Sequence, residues 1–255
     1  MEHFKFTNTN ITYLYDGSFD GLLTIVFDCY INKKMPINVA SQNYYIPNIF
    51  DITEYVPTDL KKSERIFNGI SKNISYDTLY NAYYAFLAED STKEINILKY
   101  LLYGFIIGPS IDTMLSIDFI FKVHTLRKKM LAESHKLKGL LRFSNIGDNL
   151  FYSSIHPTNN VVENLGHHFI RRLPTQNFII HDKGRNIAFV YNTHEYQILD
   201  ASSLKVPDIS EKEKLFQDLW KAFFKTIAIK ERTNPKVQMQ FMPKKYWQDL
   251  TEMKN

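Results

Sequence analysis

Residues 177–191 read NFIIHDKGRNIAFVY. Two apolar runs, Asn177 to His181 and Asn186 to Tyr191, flank the turn signal Lys183-Gly184-Arg185, and this pattern predicts a pair of strands. Upstream, Gly139 to Phe143 and Leu150 to Ile155 read as two more strands around the turn Ile146-Gly147-Asp148-Asn149. Between the two pairs, Asn159 or Asn160 is expected to cap a helix that runs to about Arg172 and stops at Pro174. Residues 138–200 are therefore expected to form a ββαββ unit with an antiparallel sheet.

The flanks read differently. Ile11 to Tyr15 predicts a strand ended by Asp16-Gly17, after which Ser18 can cap a helix with Phe19, Leu22, Leu23, Val26, Phe27 and Tyr30 on one face. The prolines at 36, 47 and 57 make the next stretch irregular, with a short strand at Tyr44–Ile46. From Thr58, taken as a cap, to about Leu131 the spacing is helical almost throughout, and Gly104 with Gly108-Pro109 divides two of the helices. Ser210 to Glu213 matches a capping box and opens a helix with Leu215, Phe216, Leu219, Trp220, Phe223, Phe224 and Ile227 expected inward. The fold class is α+β: a helical middle region packed beside the ββαββ antiparallel-sheet unit, with a helical C-terminus. We read one domain over 1–255, with sub-regions 1–57 (strand, helix and irregular segment), 58–134 (helical), 138–200 (ββαββ) and 208–255 (C-terminal helix and basic, aromatic tail).

The chain has 255 residues, 44% of them hydrophobic and 15% aromatic, which excludes disordered, collagen-like and coiled-coil classes. Its single cysteine, Cys29, excludes an internal disulfide framework, a Cys₄ zinc site and a self-contained iron–sulfur cluster. No signal peptide is read at MEHFKFTNTN, and the most apolar run, Tyr100 to Ile111, falls short of the roughly 20 residues that span a bilayer. The expectation is a cytoplasmic protein with no membrane partner.

The net charge of +4 conceals a division. Windows 122–142, 171–185 and 221–245 together hold 18 of the 31 cations and 3 of the 27 acids. They net +15 and the remainder −11. Three basic windows suit a polyanion if they converge in space, and are ordinary solvated faces if they do not. Phosphate contacts need only cations and N–H donors, so this signal carries no base sequence.

Four stretches carry a family resemblance. They are YDGSFDGLL at 15–23, HKLKGLLRF at 135–143, HHF at 167–169 leading to RRLP at 171–174 and FIIHD at 178–182, and RTNPK at 232–236 followed by QMQFMPKKYW at 238–247. In this order they resemble the bacterial domain-of-unknown-function family described as DNA metabolism or DNA repair proteins. That resemblance implies a DNA-repair context and a radical-SAM DNA modification or repair protein as partner. A similar domain is in some bacteria fused to a uracil-DNA-glycosylase-like domain. The resemblance carries over no catalytic residue. The chain is not itself the radical-SAM enzyme, since one cysteine cannot supply three thiolates.

Candidate residues follow. For nucleic acid they are Lys128, Lys129, Lys138, Arg142, Arg171, Arg172, Arg185, Arg232, Asn234, Lys236, Gln240, Lys244, Lys245, Tyr246 and Trp247. Cations hold phosphates, amides read base edges, and Tyr or Trp stacks on an unpaired base. The rival reading packs Tyr246 and Trp247 into the core and leaves the cations solvated. For acid–base chemistry the candidates are His181, Asp182, His168 and Asp16. Asp182 can orient His181, although neighbours on a strand point to opposite faces, and Asp182 can equally serve the following turn. Asp16 is either an exposed acid at a strand-to-helix corner or part of the corner's own hydrogen bonding. The HExxH, P-loop and G-x-S-x-G patterns are absent, so no metal ligand set and no cofactor is assigned. The leading expectation is a DNA-binding accessory protein of a repair system. Its rivals are a base- or nucleotide-processing enzyme, glycosylase-like or a hydrolase, and a protein-interaction subunit without nucleic-acid binding.

Overall fold

The structure is a computed structural model that describes residues 6–147, 149–207 and 209–253. Met1–Lys5, where the leader sequence was sought, lie outside the described residues, as does Asp148 of the turn at 146–149. The chain forms two compact units that divide between Met130 and Leu131, inside a helix rather than at a linker. The mixture of helices and sheets is the α+β class expected from the sequence.

The first unit is built on β2 (Ile11–Tyr15), flanked by β4 (Asn38–Ser41) and β5 (Ile52–Tyr55), both parallel to it. A smaller parallel pair joins β1 (Thr7–Asn8) to β3 (Lys34–Met35). The expected strand at Tyr44–Ile46 is not formed: Tyr44 and Ile46 are exposed, and the segments that can reach the backbone of β2 are 38–41 and 52–55. Helix α1 (Phe19–Asn32) follows β2, and Ser18 caps it by accepting from the Gly21 N–H. Cys29 is buried in α1, and burial pushes its thiol up to about 12. The helical stretch is present as α2 (Leu60–Asn73), α3 (Tyr76–Phe86), α4 (Lys93–Ile107), a 3₁₀ turn at Gly108–Thr113, and α5 (Asp118–Leu140). Asp59, not Thr58, caps α2, because its carboxylate accepts from the Lys61 and Lys62 N–H groups. The Thr58 hydroxyl donates to Asp16 instead.

The second unit holds a five-stranded sheet in the order β10-β9-β8-β7-β6. Its strands are β6 (Ser144–Asn145), β7 (Leu150–Ile155), β8 (Asn177–Asp182), β9 (Ile187–Tyr191) and β10 (Tyr196–Asp200). The sheet is mixed rather than antiparallel. β7 and β8 run parallel, whereas β6–β7, β8–β9 and β9–β10 are antiparallel. The reason lies in α6 (Val162–Arg172): a helix between two strands returns the chain to the edge where the first strand began. The strand expected at Gly139–Phe143 is not formed: Gly139 and Leu140 end α5, and residues 141–143 leave it without regular structure. Buried Met130, Ser134, Leu137 and Leu141 continue the helical spacing and override the local β preference. No side chain caps α6, whose N-cap is Val161.

α6 covers the face of Phe178, Ile180 and Phe189, all fully buried. A Cβ on Gly166 would lie 2.4 Å from the Phe189 ring, so this close helix–sheet approach requires glycine. The C-terminal segment contains α7 (Glu211–Ile227), α8 (Pro235–Phe241) and 3₁₀ turns at Lys244–Asp249 and Thr251–Met253. The Ser210 hydroxyl accepts from the Glu213 N–H, one half of the expected capping box, while the Glu213 carboxylate accepts from the Asn145 N–H and the Gln217 amide. The apolar side of α7 is not inward, however: Leu215, Phe216, Leu219, Trp220, Phe223 and Ile227 are exposed. Amphipathic spacing fixes which residues share a side and leaves open what covers it. Among the described residues no single helix is long and apolar enough to cross a membrane.

Substituting Gly166→Ala should cost about 1–3 kcal/mol of unfolding free energy through overpacking against Phe189. Gly139→Ala, whose Cβ would meet nothing within 4 Å, should gain up to about 1 kcal/mol. Chemical denaturation of the two variants beside the parent chain measures both.

Candidate functional site

The second unit is organised by a buried carboxylate. Helix α5 carries Glu133 inward, where it accepts from the backbone of Thr158 (2.9 Å) and Asn159 (2.7 Å) and from the Asn159 amide (2.6 Å). Lys245 Nζ and the Tyr246 hydroxyl, both at 2.5 Å, complete the set. Burial alone would raise this carboxyl; the Lys245 ammonium, the Tyr246 hydroxyl and the two backbone N–H groups outweigh it and hold the group at about 2. Tyr246 is buried and its hydroxyl pKa is raised, by burial first and then by Glu133. Of the candidate nucleic-acid residues, Tyr246 is thus engaged inside the fold, and Lys245, itself exposed, is paired with a buried carboxylate.

Two candidate arginines are engaged likewise. Arg142 grips Glu252 through Nε (3.2 Å) and Nη2 (2.6 Å) and donates Nη1 to the Gly139 and Leu141 carbonyls. The Trp220 indole donates to the same carboxylate at 3.0 Å. Arg185 meets Asp182 at 3.1 Å and the Pro157 and Thr158 carbonyls. Asp182 is fully buried, and it also accepts from the Gly184 and Arg185 N–H groups, so it holds the turn between β8 and β9.

Other cations converge without carboxylates. The Ser134 hydroxyl of α5 donates to Asn164 of α6. One turn further along each helix stand Lys138 and His168, with Arg172 one turn beyond. His168 has its pKa lowered by burial and then by Lys138, Arg171 and Arg172. Among the described residues these three cations make no ion pair with a carboxylate. Both arginines are exposed, and two of the three basic windows therefore meet at this seam.

The opposite face of the sheet carries a second polar cluster. Tyr152, Ser154 and His156 alternate along and just beyond β7, and Ser154 pairs in register with His181 of β8. Tyr152 Oη lies 2.9 Å from His181 Nδ1. Asp249 accepts from the Ser154 hydroxyl (3.1 Å) and lies 2.9 Å from His156 Nδ1. Burial, then Asp249, pushes the Tyr152 hydroxyl up to about 12. His181 is 5% exposed and its Nε2 is buried without a hydrogen-bond partner among the described residues. Its pKa is lowered by burial, then by Lys183 and His156, while Asp182 opposes them. Asp182 points to the other face and does not orient His181. His168, on the helix that covers that other face, does not share a site with His181 either.

The remaining candidates are dispersed. Asn234 caps α8 by accepting from the Val237 N–H, while Arg232, Lys236 and Gln240 are exposed. Trp247 donates to the Met242 carbonyl at 2.8 Å, and Lys244 Nζ lies 5.8 Å from its ring. Lys128 and Lys129 are exposed on α5 within the first unit. Asp16, also there, accepts from the Ser18 backbone and hydroxyl (2.9 and 2.7 Å) and from Thr58 (2.8 Å). Burial raises its pKa, but these hydrogen bonds prevail and hold it below the usual range. Sequence reasoning missed Glu133, Tyr152, Ser154, His156, Asp249 and Glu252. The alternation of Tyr152, Ser154 and His156 along an apolar strand was the available signal for three of them. Among the described residues no group of three His, Cys, Asp or Glu side chains is placed to hold a metal ion.

Residues 91–252 match the family model described as a domain of unknown function, DUF4130, which agrees with the resemblance at the level of a family of that kind. No curated protein matches the chain.

Glu133 is one source of acid sensitivity in the unit. Its folded pKa lies below the ordinary 4.5, so its contribution is complete above about pH 4.5 and is lost as pH falls toward about 2. The span corresponds to about 3 kcal/mol. Glu133→Ala should cost roughly 3–5 kcal/mol at neutral pH, and Glu133→Gln should flatten the acid limb of a pH–stability curve.

Proposed function

The chain belongs to DUF4130, a family described as a domain of unknown function; with no activity to inherit from it, we propose that the second unit binds the sugar–phosphate chain of nucleic acid along the seam of α5 and α6. The observation that carries this reading is the gathering of Lys138, Arg171 and Arg172 around His168 with no carboxylate among them. Cations at helix C-termini also complement the helix dipoles. Three together on one seam form a local excess that a polyanion neutralises, releasing counterions as it binds. The uneven charge of the whole chain points the same way. DNA repair as the setting, and a radical-SAM protein as partner, rest on the sequence resemblance and belong to this proposal.

The partition of the basic residues sharpens the test. Arg142, Arg185 and Lys245 serve the fold, so their loss should lower stability. Lys138, Arg171 and Arg172 should matter to binding alone. Affinity for a short single strand, followed by fluorescence anisotropy, should fall steeply with salt. In the Lys138→Ala/Arg171→Ala/Arg172→Ala chain the log–log slope should become shallower by roughly 2. An unchanged slope, or no binding of DNA or RNA at low salt, overturns the reading.

A second reading has its own observation, the orphaned Nε2 of His181 beside Tyr152. A neutral imidazole with one unpartnered nitrogen is available for proton transfer. In this reading the unit processes a base or nucleotide. His181→Ala should then abolish any base release or strand cleavage that the parent chain produces on single-stranded DNA.

A further inference from the structure

Beside the C-terminal end of α5 lies a cavity of about 470 Å³, the size of a small-molecule site. Gly139, the residue after Lys138, lies on its rim, and Phe143 in its wall packs edge-on against Phe169, the neighbour of His168, at 5.1 Å. Phe216 and Trp220 of α7, both exposed, form an aromatic side of the cavity. The Arg142 guanidinium stands 5.7 Å from the Trp220 ring, fixed there by Glu252 and two carbonyls.

The polar groups of this cavity narrow the choice of occupant. Its one lining carboxylate, Glu213, is already engaged by the Asn145 N–H and the Gln217 amide, and the lining Arg142 is neutralised by Glu252 behind it. It therefore does not demand a cation. A carboxylate only accepts, so the Gln217 nitrogen must face Glu213, which leaves the Gln217 carboxamide oxygen as an acceptor without a partner among the described residues. The Thr251 hydroxyl, also in the wall, makes no hydrogen bond there either. Flat rings beside a fixed guanidinium, one open acceptor and one open hydroxyl match a neutral planar heterocycle that carries N–H donors.

We infer that this cavity takes one unpaired nucleobase from a strand whose phosphates lie on the α5–α6 seam. The inference deepens the nucleic-acid reading and rests on it. Phosphates at Lys138 and Arg172 bring the strand to the rim, and the base leaves its stack to enter between Phe216 and Trp220. It also gives the exposed apolar side of α7 an occupant at Phe216 and Trp220.

The experiment compares a thymidine hexamer with an abasic hexamer of the same length, on the whole chain and on Phe216→Ala and Trp220→Ala. Far-UV circular dichroism and melting confirm folding, and the comparison on the parent chain needs no variant at all. We expect the hexamer with bases to bind at least about five-fold tighter and each variant to lose most of that advantage. Equal affinity for the two hexamers, with steep salt dependence, overturns the cavity inference and leaves phosphate binding standing. So does a base preference that survives both substitutions. Binding of neither hexamer at low salt removes the phosphate reading, and the inference falls with it.

Discussion

The second unit depends on one buried negative charge. Five donors from two separate parts of the chain reach Glu133: Thr158 and Asn159 just before α6, and the adjacent Lys245 and Tyr246. A charge in such a place is tolerable only when its hydrogen-bonding capacity is filled. That condition fixes where the loop after β7 enters α6 and where the 3₁₀ turn at 244–249 comes to rest. The turn in turn delivers Asp249 to His156 and Ser154 on the sheet. The geometry of the polar cluster around His181 thus traces back to a glutamate it never touches.

This arrangement sorts cations that look alike in the sequence. Arg142, Arg185 and Lys245 neutralise Glu252, Asp182 and Glu133 respectively. Each is paid for by a carboxylate elsewhere in the chain, so none contributes to a surface excess. Among the described residues Lys138, Arg171 and Arg172 have no such counterpart, and all three lower the pKa of His168 after burial has done so. A charge count over a window cannot separate the two groups, because the partner of Arg142 lies 110 positions away.

Much of the fold was legible where the determinant is local. The corner at Asp16–Ser18, the cap at Ser210, the hairpin at 177–191 and the long helical run all follow from spacing and turn chemistry within a few residues. The errors have a common origin in longer range. Gly139–Phe143 reads as a strand until the buried spacing from Met130 is continued into it. The parallel pairing of β7 and β8 is set by the crossover through α6, and no residue in either strand announces it. Of the candidate site, the composition of the seam was visible in the basic windows. Its isolation from carboxylates was not, since that depends on where Glu133, Asp182 and Glu252 direct their oxygens. His181 was singled out beside the wrong partner: strand alternation sends Asp182 to the opposite face and brings Tyr152 across from the neighbouring strand.

The span in sequence between Glu133 and its last two partners bears on how the protein is made. A chain grows from its N-terminus, so during translation Glu133 emerges more than a hundred residues ahead of Lys245 and Tyr246. Until those two have left the ribosome, only the donors at Thr158 and Asn159 are available to the carboxylate. Synthesis to that point is what fills the hydrogen-bonding capacity of the buried charge.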